Sequence, residues 1–298
     1  MRVTTLTSYY LTSQSIGDSL SRVQTEQGKV ASGKQLTSWS DDAPAASAVE
    51  RYRSQEADWN SFQKSANDAK SWLGAADGTL QSMSSIMTRV KELAVSANSG
   101  ALTATSRAGI ADELDQLRGE LRDLANTTHL GRALFAGFGA QAVATDPVTG
   151  ALSWAGDGGQ VLRQVSPTIT LQANVSGKDL LGFNAPAGQD VFSALTTLST
   201  AVRAGDSTTV SSMQDVLESR HGDMLRALGT VGTTTNRVDA ALTAGSSALT
   251  DLASRRSDLE DVDLADAVVK LNAAQAGYTA ALGAASRANL PSLADFLK

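Results

Sequence analysis

The chain has 298 residues, a formal net charge of −6, 42% hydrophobic residues but only 5% aromatics, and no cysteine. Such a length can bury a core, and the shortage of aromatics favours slender helix packing over a broad core around a cavity. Without cysteine there is no disulfide scaffold or thiolate zinc site, and charges of mixed sign with no basic stripe argue against a nucleic-acid partner.

Between Val3 and Gly17 there is no charge, yet Thr4, Thr5, Thr7, Ser8, Thr12, Ser13, Gln14 and Ser15 interrupt every apolar run. The segment is neither a signal-peptide core nor a membrane anchor. Instead Tyr9, Ile16, Leu20, Val23 and Val30 recur three and four apart, with Ser13 and Gln27 in the intervening slots. This two-in-seven helical seam is too narrow to bury itself and calls for another helix. Ser32-Gly33-Lys34 breaks it, and Ser40-Asp41-Asp42-Ala43-Pro44 reads as the next helix start, where proline's missing N–H costs nothing.

From there the seam runs through Val49, Tyr52, Glu56 and Trp59, slips by one step, and resumes at Phe62. It continues through Ala66, Ala69, Leu73, Ala76, Leu80, Met83, Met87, Val90, Ala94 and Ala97, with Gly74 and Gly78 leaving open a kink or two helices. Asn98-Ser99-Gly100 reads as a stop. Ile110, Leu114, Leu117, Leu121 and Leu124 then form the clearest heptad, and an antiparallel hairpin of these helices is the simplest packing.

From about Leu134 to Gln189 the helical period disappears among glycines and turn dipeptides. Leu152-Ser153-Trp154 and Val161 to Val165, flanking Gly156-Asp157-Gly158-Gly159, suggest a hairpin, and Thr168 to Leu171 a third strand. Helical patterning returns at Asp190. Leu228, Val231, Val238, Leu242, Leu249, Leu252 and Leu259 keep register, with Thr235, Gly245 and Arg256 between them. Asp258 to Asp266 packs five carboxylates into nine residues and resets the register, marking a joint. A second seam, Leu264, Val268, Leu271, Tyr278, Leu282 and Ala285, follows, with Gln275 its polar exception; Pro291 ends it, leaving Leu293, Phe296 and Leu297 as an apolar tail.

The expected fold is mainly α: an elongated antiparallel helical, coiled-coil rod built from both chain halves, with a small β-rich central insert. Residues 1–40 and 265–298 are terminal helical segments forming an inner assembly domain. Residues 41–134 and 190–264 make the rod, and 135–189 the outer insert.

Motifs for chemistry are weak. Gly17-Asp18-Ser19-Leu20 matches an esterase signature, but Ser19 lies beside a seam residue and neither His129 nor His221 is placed as its base. Gly28-x-x-x-x-Gly33-Lys34 lacks the Ser or Thr of a phosphate loop, having Gln35 there. Gly137-x-Gly139-x-x-Ala142 follows a helix rather than a strand. The two histidines are isolated, and the acidic run reads as a solvated face or hinge. No catalytic, metal or cofactor residue is assigned, and no enzymatic activity is expected.

With these residues assembled, the chain resembles the flagellin superfamily, and within it the hook-associated members at the hook–filament junction. The resemblance rests on the opening Met1-Arg2-Val3-Thr4-Thr5, on Ser32-Gly33-Lys34, Ser40 to Pro44, Arg51 to Gln55, Ala69 to Leu73, Lys91 to Val95, Gly131 to Gly137, Asp258 to Leu264 and the Leu290 to Leu297 tail. It covers about residues 1–140 and 235–298. It implies terminal helices in the inner wall of a hollow tube and a variable insert at its surface. It also implies export without a cleaved signal peptide to an extracellular place in the flagellum, with a cytoplasmic export chaperone beforehand. Ser-Asp-Asp-Ala-Pro and Ser-Gly-Lys-Gln depart from the flagellin-type Asp-Asp-Ala-Ala-Gly-Leu and Ser-Gly-Leu-Arg, which favours a junction adaptor over a filament flagellin. A non-flagellar coiled-coil binding module is the remaining alternative.

The expected assembly interface is Tyr9, Ile16, Leu20, Val23, Val30, Leu264, Val268, Leu271, Tyr278, Leu282, Leu293, Phe296 and Leu297. It would contact a hook-side junction subunit, flagellin, and further copies in a ring. Leu271, Tyr278 and Leu282 are the expected chaperone contact. No cofactor, nucleic acid or membrane insertion is expected.

Overall fold

The computed structural model describes residues 2–98 and 102–288, and the chain divides into two units, one up to Asp58 and again from Ala248, the other Trp59–Ser247. In the first unit lie α1 (Arg2–Ser32), the start of α2 (Ala43–Ala97), the end of α6 (Ser207–Glu260) and α7 (Leu264–Ala288). The Ser32-Gly33-Lys34 break is real: Gly33 takes a left-handed φ of 69° and its N–H closes back on Lys29 at 2.9 Å, terminating α1. Asp42 accepts from the Ala45 N–H at 3.0 Å to start α2, and Asp263 accepts from Ala265 at 2.9 Å to start α7. The joint read at the acidic run is therefore the short Asp261–Asp263 turn between α6 and α7.

α1 packs on α7. Their direction follows from the backbone beside them. Lys34 bridges Asp261 in antiparallel fashion, Gln35 N–H donates to Glu260 O at 2.7 Å, and Val262 N–H to Gly33 O at 3.0 Å. The end of α1 thus meets the start of α7, and the two helices run antiparallel.

In the second unit, the rest of α2 presents Ala66, Ala69, Leu73, Ala76, Leu80, Met83, Met87, Val90 and Ala94, all buried, in the three-and-four stepping of the sequence pattern. Val210, Leu217, Met224, Val231 and Val238 of α6 face the same core. Ion pairs Lys70–Asp239, at 2.7 Å, and Lys91–Glu218 set the two helices antiparallel. α2 runs unbroken through Gly74 and Gly78, which leaves one helix. α3 (Ala104–Ala125), capped by Thr103, adds Leu114 and Leu121 and packs against α5 (Val191–Ala204), capped by Asp190.

The insert corrects one expectation. Leu152–Trp154 does not pair across the glycine run with Val161–Val165. Six short strands form three antiparallel hairpins, the first lying just before the expected insert: β1 (Thr128–His129) with β2 (Arg132–Ala133), β3 (Val143–Thr145) with β4 (Leu152–Trp154), and β5 (Leu162–Gln164) with β6 (Thr170–Gln172). The chain reverses at Asp146 instead, whose carboxylate accepts from the Val148 and Thr149 N–H groups before Gly150 at φ 69°. The Gly156–Gly159 run is used for docking. Asp157 accepts from the Phe138 and Gly159 N–H groups, both at 2.9 Å, and a side chain on Gly137 would fall 2.3 Å from the same carboxylate. A one-turn helix, α4 (Gly177–Leu180), completes the region.

Candidate assembly interface

On α1, Thr12, Ile16, Ser19, Val23, Glu26 and Val30 are half-buried at steps of three and four. On α7 the matching set is Ala267, Leu271, Ala274, Tyr278, Ala281 and Ala285, with Ala267 and Ala285 the most buried. These columns are the α1·α7 seam. It contains Ile16, Val23, Val30, Leu271 and Tyr278 of the expected residues. Leu20, Val268 and Leu282 fall one position away and are exposed, while Tyr9 and Leu264 continue the columns at their ends and are exposed too, so the seam expected on each helix is only partly covered. Leu293, Phe296 and Leu297 lie outside the described residues.

Packing distance explains which side chains are covered. Small side chains at a crossing allow two helices to approach closely, which larger ones prevent. Ser19 and the alanines at 267, 274 and 281 take the inner positions, and the bulkier Leu20, Val268 and Leu282 turn outward. The signal was present in the sequence as alanines seven residues apart on α7. A search for large apolar residues passes over it. The uncovered set extends to Tyr10, Leu11 and Val269. Lys29–Glu26 at 3.0 Å and Lys270–Asp266 at 2.6 Å supply local charge pairing on the two helices.

At the base of the pair, Glu260 is only 3% exposed and collects three cations: Lys34 Nζ, Arg53 Nη2 at 2.6 Å and Arg256 Nη1 at 3.0 Å. Burial pushes its carboxyl up, but hydrogen bonds from Lys34 and Arg256 and the charges of Arg53 and Lys34 outweigh that and hold it below the ordinary glutamate value. Beside this cluster a cavity of about 410 Å³ is lined by Leu36, Trp39, Val49 and Arg53 among others, with Trp39 well exposed.

The motifs that resembled catalytic signatures have structural partners. Ser19 Oγ donates to Ser15 O at 2.8 Å within α1. Lys34 pairs with Glu260, and Gly137 lies against Asp157. His129 bonds Ser71 and His221 bonds Ser84, while burial and then the Lys91 charge push the His221 pKa down. Among the described residues no group of three or more His, Asp or Glu side chains is placed to hold a metal ion, and no helix is long and apolar enough to cross a membrane.

Two family models match in order along the chain: the bacterial flagellin N-terminal helical region over residues 3–140 and the C-terminal helical region over residues 214–297. A flagellin of Clostridium tyrobutyricum is 35% identical over 100 residues, which span 34% of this chain and 26% of that flagellin. Two solved structures share the fold. One, a candidate flagellar hook-associated protein of Vibrio parahaemolyticus, superposes with TM-score 0.68 at 19% identity, covering 74% of this chain and all of that one. The other, a flagellar junction protein of Legionella pneumophila, gives 0.59 at 15% identity, covering 72% and 100%. Paired terminal helices, long helices from both chain halves, a small strand-bearing insert and both helical-region matches lead to one assignment: the chain belongs to the flagellin superfamily, a family of structural flagellar proteins and not of enzymes.

Proposed function

We propose that this chain is a structural adaptor at the hook–filament junction of the bacterial flagellum, joined to its neighbours through the outward edges of α1 and α7. The observation that carries the reading is the row of large apolar side chains, Tyr9, Leu20, Leu264, Val268 and Leu282, that stays exposed after α1 and α7 have packed together. Water-exposed apolar rows on paired helices are surfaces for further helices. A head-to-tail contact between identical subunits need not close on itself and can build a tube or a ring within one.

A filament flagellin is the second reading, supported by the flagellin relative matched over about a third of the chain. The likeness to hook-associated and junction proteins supports the first, since it extends over their whole length. Copy number separates the two. The junction reading expects a trace component in sheared flagella; dominance of this chain there refutes it. Deleting residues 264–298 tests the assembly role: flagellar incorporation and motility are expected to disappear, and normal motility refutes the reading.

The chaperone surface proposed at Leu271, Tyr278 and Leu282 acquires a condition. Leu271 and Tyr278 face α1, so all three become available together only when α7 is separated from α1. Substituting Leu271→Ser with Leu282→Ser is expected to weaken capture by the export chaperone in calorimetry, and unchanged affinity removes the assignment.

A further inference from the structure

We propose that Glu260 is a charge-gated clasp: its carboxylate ties the α1–α2 linker and α2 to the end of α6, and loss of its charge releases the paired α1 and α7 from that attachment. The functional consequence rests on the assembly reading of α1 and α7; the physics does not.

Three segments converge on this one buried group. The linker contributes Lys34, α2 contributes Arg53, and α6 contributes Arg256 together with Glu260 itself. Arg53 Nη1 also reaches Glu50 at 2.8 Å, and Arg256 Nε reaches Glu56 at 3.0 Å. The cluster therefore balances Lys34, Arg53 and Arg256 against Glu50, Glu56 and Glu260. The main chain of the same residue closes the joint, since Glu260 O accepts from Gln35 and Val262 donates to Gly33 O. Side chain and backbone thus fasten the end of α1 and the start of α7 at a single point.

Neutralising Glu260 leaves three cations facing two carboxylates and removes the one buried partner that Lys34, Arg53 and Arg256 share. Lys34 has a flexible stem, a side chain 39% exposed and its ion pair on Glu260, whereas Arg53, 47% exposed, and Arg256 also hold Glu50 and Glu56, so Lys34 is the one able to turn to solvent. It carries the linker strand with it, and the Gln35–Glu260 and Val262–Gly33 hydrogen bonds open. The α1·α7 pair is then free to reorient against neighbouring subunits. In the charged state it is held in one place.

The test is hydrogen exchange on the monomeric full-length chain, read at the Gln35 and Val262 amides, with α3 and α5 as an internal reference for folding. Glu260→Gln is expected to raise exchange at both amides by about tenfold or more while the reference stays unchanged. Adding Arg53→Gln restores the charge balance and is expected to recover part of the protection. Exchange within about twofold of wild type in Glu260→Gln, or a double variant worse than the single one, overturns the proposal. If Glu260→Gln also loses the α3·α5 reference, Lys34→Met decides: it must loosen the same two amides and leave α3 and α5 protected, and no change there overturns the clasp. Because the monomer is read, a negative result strikes the clasp alone, and the 264–298 deletion judges assembly separately.

Discussion

Replacing Leu20, Leu264, Val268 and Leu282 together by Gln should leave the monomer folded and cripple its assembly. Glutamine has nearly the helix propensity of leucine and exceeds valine, so α1 and α7 lose little intrinsic stability. Leu20, Val268 and Leu282 lie beside the α1·α7 seam and Leu264 at its exposed end, while Ile16, Val23, Leu271 and Tyr278 remain within it. The exposures of Leu20, Leu264, Val268 and Leu282 are 39, 56, 43 and 41%, so roughly half of each side chain's burial energy is still to be gained. At about 2 kcal/mol for full burial of such a side chain, the four together offer ~3.5 kcal/mol per subunit to a covering neighbour. That corresponds to roughly a 300-fold change in an association constant. Gross gains of this size only partly offset the cost of immobilising a subunit, commonly ~4–15 kcal/mol, so assembly depends on several neighbours at once and is sensitive to such losses. The assay pairs circular dichroism and hydrogen exchange on the monomer with flagellar incorporation and swimming in a complemented deletion strain. A folded quadruple variant that incorporates and swims as wild type refutes the outward edges as the assembly surface.

Three other outcomes follow from the same packing. Leu271→Ser, on the seam itself, is expected to destabilise the α1·α7 pair by ~1–2 kcal/mol, seen as faster exchange throughout both helices with α3 and α5 unaffected; no change places Leu271 outside the seam. Glu260 has a folded pKa below its unfolded one, so the stability it supplies is fully present above the ordinary glutamate range. That contribution is lost as pH falls through the depressed folded value. Acid should thus loosen the Gln35 and Val262 amides in wild type and add little in Glu260→Gln, whereas equal acid sensitivity in both contradicts the assignment. Gly137→Ala puts a methyl 2.3 Å from Asp157 Oδ1 and 2.4 Å from Gly159 N at a φ of 74°. The expected cost is ~3 kcal/mol, read from urea unfolding followed by tryptophan fluorescence, and a loss below about 1 kcal/mol means the insert docks differently.

The long helices were legible residue by residue. On α2 the one-step slip between Trp59 and Phe62 reappears in the burial pattern, and on α6 Val231, Val238 and Gly245 are buried where the register placed them. Such helices repeat their pattern many times, and errors at single positions average out. The insert had no such redundancy. Strands of two or three residues carry no readable alternation, so pairing depended on turn chemistry, and the Gly156–Gly159 run looked like a better reversal than Asp146 to Gly150. It was already committed, through Asp157, to the 136–139 segment, a tertiary contact invisible along the chain.

Periodicity and punctuation alone determined that this chain is built from long helices contributed by both halves, broken near Gly33 and again between Glu260 and Leu264, because each helix must hide one stripe and each break needs its own backbone chemistry. Only the tertiary structure decided which stripe is hidden. At 3.6 residues per turn, Ser19 and Leu20 point about 100° apart, and so do Ala267 and Val268, so only one of each pair faces the partner helix. How closely two backbones approach selected the small residue of each pair for the inside and left the larger one facing outward. The meeting of Lys34, Arg53 and Arg256 on Glu260 was likewise beyond any local pattern, since up to 226 residues of sequence separate its partners.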